Sequence, residues 1–139
     1  MRRVLLTCVV VVCAACGGGG GSPAAPSPPP PPPPFNQTVE GTVEPFGINP
    51  YSLNVPRSGT AQITLTWGDP LVDLNLYLTT EGCNSYPPRD CDILERSDAD
   101  VGTSETVTRL VSAGESYRVW VDNVHPTIGQ QYSLNLRIE

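Results

Sequence analysis

The chain predicts an all-β fold, an antiparallel β-sandwich of seven or eight short strands, and three observations carry that expectation. After residue 36, apolar and polar side chains alternate with a period of two in one short segment after another. Clusters of glycine, proline, serine and aspartate separate these segments. No stretch sustains a period of 3.6, so helices are expected to be absent or limited to a single turn.

Residues 38–43 form a first, weakly patterned strand. Tyr51, Leu53 and Val55 alternate in the next, which Pro56-Arg57-Ser58-Gly59 ends. Ala61, Ile63, Leu65 and Trp67 give a clear pattern closed by Gly68-Asp69-Pro70, and Leu74, Leu76 and Leu78 follow. Residues 105–111 are a second weakly patterned strand, ended by Ser112-Ala113-Gly114-Glu115. Tyr117, Val119 and Val121 alternate next. After the loop His125-Pro126-Thr127-Ile128-Gly129, so do Tyr132, Leu134, Leu136 and Ile138. Each of these segments reads as a strand with one buried face.

The N-terminal quarter is too biased in composition to join a core. Arg2 and Arg3 precede an apolar run from Val4 to Val12, then Cys13, Ala14, Ala15 and Cys16. A positive start, about ten apolar residues and small residues at the cut describe an export signal, too short to span a bilayer. Ala14-Ala15-Cys16-Gly17 resembles the lipobox of bacterial lipoproteins, which implies that Cys16 is lipidated and becomes the new N-terminus. Cys13 stands where that pattern usually has leucine or another aliphatic residue; the alternative is a plain secretory signal that leaves Cys16 a free thiol. Five glycines and then residues 23–34, ending in seven prolines, follow. Glycines swivel, whereas twelve residues of polyproline type reach about 37 Å, so this segment reads as a spacer. The expected organisation is a signal peptide over residues 1–15, a lipidated cysteine and tether over 16–35, and a β-sandwich over 36–139.

The whole chain has 8 basic and 14 acidic residues; without Arg2 and Arg3 the net charge becomes −8. There is no lysine and the arginines are scattered, so no basic stripe exists to neutralise phosphates, which argues against nucleic acid as a partner. Export makes a disulfide between Cys83 and Cys91 the expected state of the two cysteines in the loop after Leu78.

Four segments in order carry a family resemblance: Asp73-Leu74-Asn75-Leu76-Tyr77-Leu78; Thr103-Ser104-Glu105-Thr106-Val107; Ala113-Gly114-Glu115-Ser116-Tyr117-Arg118-Val119-Trp120-Val121-Asp122; and Tyr132-Ser133-Leu134-Asn135-Leu136. Together they resemble the bacterial pre-peptidase C-terminal domain over roughly residues 36–139. The resemblance implies a jelly-roll-like sandwich, non-catalytic and usually appended to secreted proteases. No peptidase domain precedes the module in this sequence, only the expected anchor and tether.

Three groups of side chains are candidate sites. Asp69, Asp73 and Asn75 at the start of one strand, with Asp98, Asp100 and Glu105 from a later loop, supply the oxygen ligands that Ca²⁺ takes from two loops. The same short acids also suit turn capping. Trp120 alternates with Val119 and Val121, which places it on the outer face with Arg118 and Asp122, either as a stacking platform for a ligand or beneath a covering loop. His125 is the one histidine, and no serine sits in a recognisable nucleophile motif, so no catalytic residues are assigned. The expected function is a non-catalytic, lipid-anchored lipoprotein of the cell envelope, at the outer membrane or cell surface, presenting a binding module for a carbohydrate, protein or matrix ligand. The alternative is a structural or accessory partner of a separate secreted enzyme or envelope complex.

Overall fold

Period-two segments that each have one apolar face cannot remain single; they bury that face by pairing edge to edge and stacking face to face. The computed structural model describes residues 27, 30, 33–85 and 91–139, and the sandwich forms one unit spanning Pro32–Glu139. Its eight strands are β1 (Phe35–Val43), β2 (Ile48–Asn54), β3 (Gly59–Trp67), β4 (Leu74–Thr80), β5 (Ile93–Ser97), β6 (Ser104–Val111), β7 (Ser116–Asn123) and β8 (Gln130–Ile138). They form two four-stranded antiparallel sheets, ordered β1-β8-β3-β6 and β2-β7-β4-β5. The described residues contain no helix.

Between the sheets lie Ile63, Leu65, Leu134, Leu136 and Ile138 from one side and Leu74, Leu76, Leu78, Val119 and Val121 from the other, all buried. These are the alternating positions of the sequence pattern, and burying each stabilises the fold by about 1.5–3 kcal/mol before chain entropy is charged against it.

β5 is the strand the pattern does not reveal. Its positions opposite the inward Leu76 and Leu78 are Ser97 and Glu95, both polar. They lie on the open side of the sandwich, where Arg109 of β6 donates to Glu95 at 3.2 Å and the Ser97 hydroxyl donates to Glu105 of β6. A polar seam closes that side where apolar residues would otherwise be needed. Glu105, only 3% exposed, also accepts from the backbone N–H of Ala99, which holds the start of the β5–β6 loop.

Cys83 and Cys91 are joined by a disulfide with the Cα atoms 5.5 Å apart. It closes the β4–β5 connection, a short loop whose cross-linking is worth about 2.5 kcal/mol by chain entropy. That is a large share for a domain of this size.

Candidate functional site

Register fixes which loops meet. Val43 pairs with Gln130, Trp67 with Tyr132, Ile48 with Asp122, Leu74 with Asn123, Leu76 with Ser97 and Thr66 with Ser104. The β1–β2, β3–β4, β5–β6 and β7–β8 connections therefore gather at one pole, and each crosses from one sheet to the other over the end of the core. Phe35 pairs with Ile138, so the chain joins the sandwich at the opposite pole, where Pro33 accepts a hydrogen bond from Arg57.

Each of the four crossing loops exposes a large apolar side chain: Phe46 at 67%, Leu71 at 78%, Val101 at 83%, and Val124 and Ile128 at about 40%. Four such tips at one end are what a contact surface presents, whereas single scattered ones are ordinary. Phe46 has a positive φ of 51°, unusual for a bulky residue, and the Glu44–Gly47 turn holds it there.

The pole is internally fastened. Asn123, fully buried, donates to the carbonyls of Glu44 and Ile128 and accepts from the N–H of His125, which ties the β1–β2 turn to the β7–β8 loop. The indole N–H of Trp67 donates to the Val72 carbonyl at 2.7 Å and anchors the β3–β4 loop to the core. Val124 N–H donates to the Asp73 carbonyl at 3.3 Å, linking that loop to β7–β8.

The calcium candidates fall at this pole but do different things. Asp69 caps its own turn, accepting from the N–H of Leu71 at 2.9 Å. Glu105 is engaged by Ser97 and Ala99, as above. Asp98 is exposed and 3.8 Å from Arg96. Asn75 alternates with the inward Leu74 and Leu76 and pairs with Asp122 of β7, and Asp73 immediately precedes the strand. Burial, and then the charges of Asp100, Glu105, Asp122 and Asp98, push the Asp73 carboxyl above the usual carboxylate range. Among the described residues, no three or more His, Cys, Asp or Glu side chains already surround a single point.

The expected platform of Trp120, Arg118 and Asp122 is corrected. Trp120 lies opposite Val119 and Val121, as alternation requires, but is only 4% exposed, and Asp122 only 7%. β7 is a central strand, and Trp120 sits between Pro50 of β2 and Tyr77 of β4. Its indole N–H donates to Thr79 at 3.0 Å, and the Arg118 guanidinium lies over its ring at 6.0 Å. Arg118 is held there by Glu81, the Cys83 carbonyl and Asn84, so the disulfide-bearing connection places a lid on the tryptophan. Cys16 and the middle of that connection, residues 86–90, lie outside the described residues.

The open side between β1 and β2 carries a cavity of about 90 Å³ lined by Val39, Tyr51, Leu53 and Leu136 among others. Small-molecule sites usually span about 300–1,000 Å³, so this slot takes at most a small apolar group.

No protein-family model and no curated protein matches the chain. Solved structures do. A mitogen from Yersinia pseudotuberculosis is 20% identical with a TM-score of 0.55, over 76% of this chain and 87% of that one. PliG of Aeromonas hydrophila, a periplasmic inhibitor of g-type lysozyme, is 17% identical with a TM-score of 0.54, over 75% and 86%. The pre-peptidase C-terminal domain of a Bacillus anthracis collagenase is 16% identical with a TM-score of 0.54, over 73% and 89%.

What they share is the fold. The third match gives the sequence resemblance a structural counterpart at the level of the sandwich. A mitogen, a lysozyme inhibitor and a domain of a collagenase share one scaffold, so the site must argue the function.

Proposed function

We propose that the chain is a non-catalytic lipoprotein of the bacterial cell envelope, held by a lipid on Cys16 and presenting a sandwich akin to the pre-peptidase C-terminal domain as a protein-binding module. The observation that carries this reading is the polarity of the sandwich: the chain joins it at one pole, and four fastened loops expose Phe46, Leu71, Val101 and Ile128 at the other. Burial of Trp120 removes it as a stacking platform, while the exposed apolar tips, one aromatic and the others aliphatic, near the carboxylates of Asp98 and Asp100 suit an apolar patch with a basic rim on another protein.

Site-specific photo-crosslinking in cells tests the surface. A crosslinker at Leu71 or Val101 should yield an adduct of one discrete mass, and one at Gln62 or Thr108, exposed on the outer face of the other sheet, should yield none. Equal labelling at all four positions, or none at the loops, would overturn the surface. Cys16→Ser should move the protein from the membrane fraction to the soluble one; a variant that still pellets and resists salt would overturn the anchor.

A further inference from the structure

Four buried side-chain atoms among the described residues lack a hydrogen-bond partner, and two of them, both oxygens, lie together at the loop pole where β4 begins. Oδ1 of Asp73 and Oδ1 of Asn75 are both buried and accept no hydrogen bond. Asn75 is only 8% exposed. Native folds seldom leave such atoms unsatisfied, and each one asks for a partner. Asp73 stands immediately before β4 and Asn75 two residues on, within it, and Asp122 pairs with Asn75 across β4–β7. The carboxylates of Asp98 and Asp100, in the β5–β6 loop, act electrostatically on Asp73 from the neighbouring strand end, and every charge acting on it is negative.

We propose that this corner binds one divalent cation of the calcium type, with Oδ1 of Asp73 and Oδ1 of Asn75 as the fixed ligands and Asp122 and the Asp98–Asp100 segment closing around it. The donors are all oxygen, with no histidine or thiolate among them, which selects a hard cation. A neutral amide oxygen and the mixed strand and loop origin of the donors favour Ca²⁺, which tolerates irregular shells of six to eight oxygens, over the strict octahedron of Mg²⁺. Asp69 and Glu105 are outside the shell, since the first caps a turn and the second is taken by Ser97 and Ala99.

Among the described residues no three acidic side chains already surround one point, so closure of the loop carrying Asp98 and Asp100 belongs to the proposed binding. That loop also carries the exposed Val101. Cation binding would therefore set the position of one tip of the pole. The inference rests on the orphaned oxygens and holds whether or not the pole contacts a protein.

The test uses the full chain, freed of metal by chelation. Isothermal titration with CaCl₂ should show one saturable site, and millimolar Ca²⁺ should raise the melting temperature by several degrees over EGTA, with MgCl₂ doing less. Asp73→Asn with Asn75→Ala should abolish both effects, whereas Asp69→Asn should keep them. Should the double variant not fold, the wild-type protein still decides: Tb³⁺ should give emission sensitised through Tyr77 and Trp120, on the same face of the sheet, and Ca²⁺ should displace it. No calorimetric signal and no sensitised emission up to millimolar metal, or a Ca²⁺ shift that survives in the double variant, overturns the proposal.

Discussion

Gly41 controls the β1–β2 side of the sandwich. It pairs with Tyr132, and a Cβ at this position would stand 2.6 Å from the Tyr132 ring and hydroxyl and 2.8 Å from the Tyr51 hydroxyl. Those two tyrosines meet edge to face and hydrogen-bond to each other, Asn49 donates to the Tyr132 hydroxyl at 2.8 Å, and burial drives the Tyr132 phenol well above its ordinary range. With both rings held, Gly41→Ala should cost about 1–3 kcal/mol, read as a lower denaturation midpoint at unchanged slope. An unchanged midpoint would mean that the tyrosines yield freely. Trp120 makes the opposite case, a large residue in a closed space. Trp120→Ala should cost about 3–5 kcal/mol, and Trp120→Phe less, the remaining loss reflecting the bond to Thr79. Urea melts of the two variants check this, and a loss below about 0.5 kcal/mol for the alanine would return the residue to the surface. Its side of the strand is legible from alternation. Its burial is not, because alternation says nothing of a lid assembled from Arg118 and a connection 35 residues earlier.

Most strands announce themselves because their inward positions are aliphatic or aromatic. β5 stays hidden because only Leu94 of its side chains packs against the core, beside a break in register, while Glu95 and Ser97 opposite the inward Leu78 and Leu76 are satisfied by partners on β6 that only the tertiary structure supplies. Phe46, Leu71 and Val101 read simply as loop residues, since nothing in their local pattern says that four connections converge. The connection after β4 also carries a pH signal. Hydrogen bonds from Ser52 and Arg118 hold the Glu81 carboxyl below its usual 4.5. A carboxyl lowered on folding stabilises above its unfolded value and loses that contribution as pH falls through the folded one. Glu81→Gln should therefore flatten the fall in melting temperature between neutral pH and about pH 3. The effect is small, because solvent still reaches the pair, whose side chains are 19% and 38% exposed, and screens it. A wild-type slope retained in full by the variant would assign the acid sensitivity elsewhere.

Across the whole molecule the sequence resemblance anticipates the architecture, and the order β1-β8-β3-β6 with β2-β7-β4-β5 supplies what periodicity could not. β4 and β5 alone pair as sequence neighbours, and the disulfide spans that one local connection. Every other pairing must close a longer loop of chain, which places folding in the slow, millisecond-to-second class of all-β proteins. The candidate surface follows from this topology and not from any motif, which is why side-chain patterns did not single it out. Two of the four outer strands, β2 and β5, border the second sheet, and β2 carries Pro50 in its middle. Proline has no amide hydrogen to offer a neighbouring backbone, and β5 is only five residues long. Many copies crowded together thus find no long free margin on that sheet along which to zip into fibrils.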